Sequence, residues 1–142
     1  MKTAVISGGN GGLGRALSRA LEAEGWHCVL MDRDISGLEA TSSCTPLEID
    51  LTDEPAVTEA VKGVIAARPS IDLVIYNAGI TQVRSFCESD PASHRRVFEI
   101  NYFAAVNMAR GFLQALRHSS GTHLAVSSVA GFAPLHHRTA YA

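Results

Sequence analysis

The sequence predicts an α/β fold with a doubly wound parallel sheet of about five strands. Three observations carry this: short apolar runs alternate with helical stripes along the chain, a glycine-rich turn follows the first run, and an aspartate ends the second. Thr3 to Ser7 is apolar and closed by glycines, so it reads as a buried strand. From Gly12, Leu13, Leu17 and Leu21 recur at helical spacing with Ala16 and Ala20 beside them, until Gly25 stops the helix. His27 to Asp32 is the second strand, and Ser36 to Glu39 (SGLE) has the pattern of a capping box opening a very short helix. Pro46 to Asp50 reads as the third strand. Thr52 or Asp53 then caps a helix with Pro55 in its first turn and Val57, Val61, Val64 and Ile65 on one face. Ile71 to Asn77 is the fourth strand. Asp90-Pro91 opens a long helix reaching Arg117, with an expected stripe of Phe98, Tyr102, Ala105, Ala109, Phe112 and Leu116. Thr122 to Ser128 is the fifth strand. Right-handed crossovers between parallel strands make this a Rossmann-type arrangement. Its ligand belongs beyond the carboxyl ends of the strands, where strand order reverses. Repeats, low-complexity segments and linkers are lacking, so residues 1–142 read as one domain.

Composition narrows the function classes. The hydrophobic share of 46% supports a real core, and a net charge of −2 provides no field for gathering nucleic acid or acidic lipid. Cys28, Cys44 and Cys87 are odd in number and far apart, which suggests small buried side chains in a reducing compartment rather than a disulfide framework or zinc site. The opening MKTAVISGG has too short an apolar run for a signal-peptide core, and no stretch approaches the roughly 20 apolar residues of a membrane span. A soluble cytoplasmic protein, without nucleic-acid or membrane partners and without a metal site, is the expectation.

The stretch VISGGNGGLGRAL, Val5 to Leu17, fits three nucleotide-binding fingerprints. Gly9-x-Gly11-x-x-Gly14 is the general dinucleotide pattern, Gly8-x-x-Gly11-x-x-Gly14 that of sugar-nucleotide epimerases, and Ser7-Gly8-x-x-x-Gly12-Leu13-Gly14 that of short-chain dehydrogenases. A plain tight turn also uses glycines, but position between a strand and an amphipathic helix favours nucleotide binding. There the backbone can approach a pyrophosphate closely, and free amides with the helix dipole hold its charge. Asp32 lies close to the spacing of about 20 residues expected of an acidic residue that binds the adenosine ribose. Its carboxylate would accept from both ribose hydroxyls and repel a 2′-phosphate, which favours NAD over NADP. Arg33 is the competing feature, since an arginine can hold that phosphate; the turn itself carries no basic residue.

Further motifs decide among the fingerprints. SGGNGGLG resembles the TGxxxGxG turn of the short-chain dehydrogenase/reductase family, with Ser7 for the usual threonine. DLTD, Asp50 to Asp53, resembles that family's adenine-contacting segment, and Asn77-Ala78-Gly79 its NAG hallmark after the fourth strand, usually lacking in the epimerases. EINYFA, Glu99 to Ala104, resembles the segment of its catalytic asparagine, here Asn101. VSSVAG, Val126 to Gly131, resembles the strand end that supplies its serine, here Ser128. The family places its tyrosine thirteen residues further on, which is Tyr141. Each residue singly has an ordinary structural explanation; their joint spacing over the whole chain does not.

The resemblance implies cofactor contacts at Ser7, Gly8, Asn10, Gly12, Leu13, Gly14, Asp32, Arg33, Asp50, Leu51, Asn77, Ala78 and Gly79, with Asp50 meeting the adenine amino group. It implies hydride transfer between the nicotinamide and a small-molecule alcohol or carbonyl substrate. Tyr141 would be the acid or base, Ser128 a donor to the substrate oxygen, and Asn101 would position a relay water. An unperturbed tyrosine, with a pKa of about 10, is a poor base near neutrality. The family lowers it with a lysine four residues later, which also holds the nicotinamide ribose. Here the chain ends at Ala142, and that lysine, the last strands and the substrate loop are missing. The expectation is therefore an incomplete copy of a longer enzyme, inactive as it stands, with the fifth strand an unprotected edge; the parent is expected to be a homodimer or homotetramer. The alternative is a non-catalytic dinucleotide-binding module acting as a sensor or partner. Leu135, His136, His137 and Arg138 are placed at the mouth of the substrate pocket, where Arg138 could attract a carboxylate.

Overall fold

The computed structural model describes residues 1–133 and 135–141. In chain order, β1 (Thr3–Ser7), α1 (Gly12–Ala23), β2 (His27–Asp32), β3 (Cys44–Glu48), α2 (Glu54–Ala67), β4 (Leu73–Tyr76), α3 (Pro91–Phe98), α4 (Ala104–Ser119) and β5 (Thr122–Ala125) alternate as expected. One parallel sheet has the order β3-β2-β1-β4-β5. The order reverses between β1 and β4, so the crevice of a doubly wound sheet lies above their carboxyl ends. No helix among the described residues is long and apolar enough to cross a membrane.

Each face of the sheet has its own core. On one, Ala4, Ile6, Cys28, Leu30, Cys44 and Ile75 are covered by Leu17 and Leu21 of α1 and by Trp26. On the other, Val5, Val29, Met31 and Val74 pack beneath α2 and α4 through Val57, Val61, Met108 and Phe112. Gly111 lets α4 lie close against α2, since an added Cβ there would lie 2.9 Å from Val61 Cγ2. Asp53 is the cap of α2, its side chain accepting from Ala56 N at 3.0 Å, with Pro in the first turn.

Four local expectations need correction. Ser36 to Glu39 is a turn and no helix: Gly37 has φ +71°, and Arg15 Nη2 and Nη1 hold the carbonyls of Ser36 and Gly37 at 3.2 and 3.3 Å. The third strand begins earlier, at Cys44, because β3 is an edge strand and tolerates Pro46 in its interior. The long helix is α3 and α4 joined by a π-helical turn, Glu99–Phe103. That turn resets the stripe to Val97, Ala104, Met108, Phe112, Ala115 and Leu116, leaving Phe98 and Tyr102 each 56% exposed. Of the cysteines, Cys28 and Cys44 are buried neighbours across β2 and β3, whereas Cys87 is exposed. Burial pushes the Cys28 thiol up to about 11, which holds it protonated and unreactive.

Candidate functional site

The glycine turn between β1 and α1 is shaped by two demands. Gly8 has φ +63°, and a Cβ there would lie 2.9 Å from Ala78 Cα; one at Gly14 would lie 2.2 Å from Gly8 O. These residues let the turn fold back on α1 and press against the loop after β4. Gly12 is different, since an added Cβ would meet nothing within 4 Å. The first helical bond runs from Arg15 N to Gly11 O at 2.9 Å, so the amides of Gly12, Leu13 and Gly14 have no partner within the helix. Gly8, Gly11, Gly12 and Leu13 line a cavity of about 1060 Å³. Free amides, a positive helix end and open space beside Gly12 fit an anionic diphosphate.

Ser7 ties the floor of this cavity together. Its buried hydroxyl donates to Ile75 O at 3.3 Å and accepts from Asn77 N at 2.9 Å and Ala78 N at 3.0 Å. Asn77 Nδ2 in turn donates to the carbonyls of Ser7 and Gly8, both at 3.0 Å. Ser7 thus acts on the cavity through Asn77, and it is Asn77, Ala78 and Gly79 that line it. Just upstream, Tyr76 hydrogen-bonds His123 Nδ1 on β5, the rings stacked 5.7 Å apart. Burial pushes the Tyr76 hydroxyl up to about 12.

One side wall comes from the end of β2. Asp32 Oδ2 accepts from Asn10 N at 2.9 Å, and Asn10 Nδ2 donates to Asp34 O at 2.8 Å, drawing the loop after β2 over the glycine turn. Asn10, which supports this wall, and Gly14, which packs against Gly8 and Gly9, are outside the lining, while Asp32 and Arg33 line the cavity. Asp50 and Leu51 line it from the loop after β3. The Thr52 hydroxyl and amide donate to Asp50 Oδ1 at 2.7 and 2.9 Å and hold its carboxyl below the usual carboxylate value; Arg33 and Arg96 act in the same direction. The opposite wall, whose residues were not among the expected cofactor contacts, is formed by α3 and the π turn, through Ser93, Arg96, Glu99 and Ile100. Asp90, capping α3 by accepting from Ser93 N at 2.6 Å, fixes that wall. The Asp90-Pro91 start was the sequence signal for its α3 part, and the EINYFA segment that for Glu99 and Ile100.

The three candidate catalytic residues stand outside this cavity's lining. Asn101 is in the π turn, a helical irregularity frequent at functional sites. Its Oδ1 accepts from Ile80 N at 2.8 Å and its Nδ2 donates to Ile80 O at 2.9 Å, which clamps the loop that begins with Asn77. Ser128 Oγ accepts from Ala130 N at 3.1 Å at the start of a short 3-10 turn after β5. Tyr141 is half-buried, its N–H donating to Arg138 O at 2.9 Å.

The profile of the short chain dehydrogenase family matches residues 2–142. A bovine (Bos taurus) protein, dehydrogenase/reductase SDR family member 7B, is 32% identical over 97% of this chain and 47% of its own length. A short-chain dehydrogenase from Streptomyces avermitilis superposes with a TM-score of 0.93 and 26% identity, over 99% of this chain and 54% of that one. A metagenomic short-chain oxidoreductase solved in complex with NADP superposes at 0.90 with 27% identity, over 99% and 67%. The chain thus spans about half the length of the bovine relative. With the glycine turn, the switch-point cavity and the family match coinciding on the same residues, the chain is a member of the short-chain dehydrogenase family.

Proposed function

We propose that this chain binds a nicotinamide dinucleotide across the amino end of α1 and contributes the first half of an oxidoreductase site for a small-molecule alcohol or carbonyl. The observation that carries the reading is the open space beside Gly12 at a helix end with three free amides, within a cavity that Asp32 also lines. In this reading the amides of Gly12 and Leu13 hold the diphosphate. Asp32 accepts from the adenosine ribose, Asp50 and Leu51 flank the adenine, and Asn77, Ala78 and Gly79 support the nicotinamide half. When bound, the cofactor supplies or accepts a hydride. Ser128 orients the substrate oxygen, and Tyr141 holds the proton exchanged with it. Asn101 maintains the loop from Asn77 to Ile80, its side-chain amide being engaged with Ile80.

Asp32 supports NAD over NADP, since a 2′-phosphate would approach its carboxylate. Arg33 on the same cavity wall is a feature that would favour NADP. Calorimetry with NADH and NADPH tests both points: NADH binding with preference over NADPH is expected, absence of binding by either refutes the dinucleotide reading, and preference for NADPH refutes the assignment of Asp32.

A non-catalytic dinucleotide-binding module is the second reading, and one observation favours it for this polypeptide taken alone. Its two lysines lie away from Tyr141: Lys2 Nζ is 5.2 Å from the Trp26 ring centroid, and Lys62 pairs with Glu59 at 2.7 Å. The lysine ammonium that the family pairs with its tyrosine is thus not supplied to Tyr141 by either of these two residues. The module reading therefore expects NADH binding without turnover; steady NADH formation from an alcohol refutes it. In a longer parent, a homodimer or homotetramer in the cytoplasm is proposed, testable by sedimentation of that parent.

A further inference from the structure

Beyond β4 and β5, two loops are joined along a seam. Arg84 N donates to His137 O at 2.7 Å, and Arg84 pairs with Arg138 in an isolated parallel bridge. Arg138 Nη1 donates to Thr81 Oγ1 at 2.7 Å. His137, at the seam, has φ +56°, a left-handed conformation that a histidine adopts at a cost and that tends to mark ligand-binding or switch regions. Arg84 and His137 line a cavity of about 430 Å³ together with Val83, Ser85 and Glu88.

Close ion pairing is lacking along this seam among the described residues. Among the described residues the one ion pair is Lys62–Glu59, so neither Arg84 nor Arg138 has a carboxylate within pairing distance. Glu88 is the single acid in the smaller cavity, and its carboxylate accepts from Ser85 Oγ at 2.6 Å. Glu88 and Asp90 both lie within the field of Arg84, whereas the Arg138 guanidinium rests on the Thr81 hydroxyl with no acid paired to it, so Arg138 is the group along the seam with positive charge to offer an anion.

The seam also adjoins the candidate catalytic residues. The Arg138 carbonyl accepts from Tyr141 N. Thr81, which the Arg138 guanidinium grips, follows Ile80, whose backbone holds the Asn101 side chain through two bonds. Arg138 therefore bridges the two segments that carry Tyr141 and the Asn101 clamp, with Arg84 one strand-bridge further out.

Resting on the oxidoreductase reading above, we propose that the substrate is a hydroxy- or oxo-carboxylate whose anionic group is held along this seam by Arg138 and Arg84. A guanidinium binds a carboxylate with charge-assisted, directional hydrogen bonds, and a neutral analogue leaves it nothing comparable. Arg138 and Arg84 are thus specificity residues, acting on the substrate's charged end rather than on the reacting carbon.

The test compares levulinate with methyl levulinate, a carboxylate and its neutral ester, by proton–nitrogen correlation spectra of the chain with and without NADH. Levulinate is expected to move the amide signals of Thr81, Arg84 and Arg138 and to bind about tenfold more tightly than the ester. Arg138→Gln and Arg84→Gln should each lower levulinate affinity more than ester affinity and so remove most of that preference, whereas a merely structural role for the arginines would lower both alike. Equal affinity for acid and ester, absence of any levulinate-induced shift, or a preference that survives in the double variant overturns the proposal. NADH binding is read separately on Gly12 and Asp32, so failure of the dinucleotide reading is distinguished from failure of the carboxylate seam, which the cofactor-free spectra still report.

Discussion

Two glycines of the same turn, Gly12 and Gly14, should respond in opposite ways to a single methyl group. At Gly14 the added carbon would lie 2.2 Å from Gly8 O, 2.9 Å from Gly9 Cα and 3.0 Å from Gly9 C. All three are backbone atoms, so no side-chain rotation relieves the overlap. Forced overpacking costs up to about 3 kcal/mol, and the better helix propensity of alanine returns at most about 1 kcal/mol, leaving a net loss of about 2 kcal/mol. With an unfolding entropy of about 2.1 cal/mol/K per residue, a chain of 142 residues loses roughly 7 °C of Tm for that change. Gly12→Ala meets nothing within 4 Å, so its Tm should stay at or slightly above that of the parent. Its methyl instead enters the space assigned to the diphosphate. Losing one amide–phosphate bond there weakens NADH by roughly tenfold or more. Differential scanning calorimetry and isothermal titration on the same preparations read both quantities. Unchanged NADH affinity in Gly12→Ala would refute the placement of the diphosphate, and a parent-like Tm in Gly14→Ala would refute the steric account of the turn.

Other outcomes follow from the same geometry. Ser7→Ala should cost at least about 2 kcal/mol in urea unfolding, because Asn77 N and Ala78 N lose their acceptor in a buried place. Asp32→Ser should narrow or reverse the NADH preference over NADPH in fluorescence titration; an unchanged ratio argues against the ribose contact. The carboxyls of Asp34, Asp50, Glu88 and Asp90 are all held below their ordinary values, chiefly by hydrogen bonds from nearby serines and threonines. Because their folded pKa values are depressed, their stabilisation is fully present above the ordinary carboxylate range and is lost as pH falls through the lowered values. Tm should therefore be flat with respect to these groups above about pH 5 and fall below about pH 4, less steeply in Asp90→Asn. In an ultraviolet pH titration one of the three tyrosines should ionise only near 12, and that late phase should vanish in Tyr76→Phe.

The parts of this molecule governed by short-range pattern were legible in the sequence. The strands Thr3–Ser7 and His27–Asp32 have the bounds that the apolar runs indicate, because central strands buried on both faces must be apolar throughout. The glycine turn lies between β1 and α1 and Asp32 at the end of β2, as the same local pattern indicates. The far wall of the cavity was legible only in part: EINYFA drew attention to its segment through Asn101, but Glu99 and Ile100 sit in a π turn that interrupts what periodicity reads as one straight helix, so their place in the wall had no periodic signature. The same insertion explains why Phe98 and Tyr102, assigned to the core by spacing from Phe112, are exposed. The pairing of Arg84 with Arg138 joins loops far apart in sequence and has no local signature.

The three bonds of the Ser7 hydroxyl have a thermodynamic consequence for ligand capture. With one donor and two acceptor sites all engaged, the group fastens the tip of the central strand to the backbone beyond its neighbour. The two lips of the crevice then move as one body, and much of the ordering that a guest would otherwise impose is completed when the chain folds. A preorganised floor of this kind favours slow release, since dissociation gains little conformational freedom on the protein side.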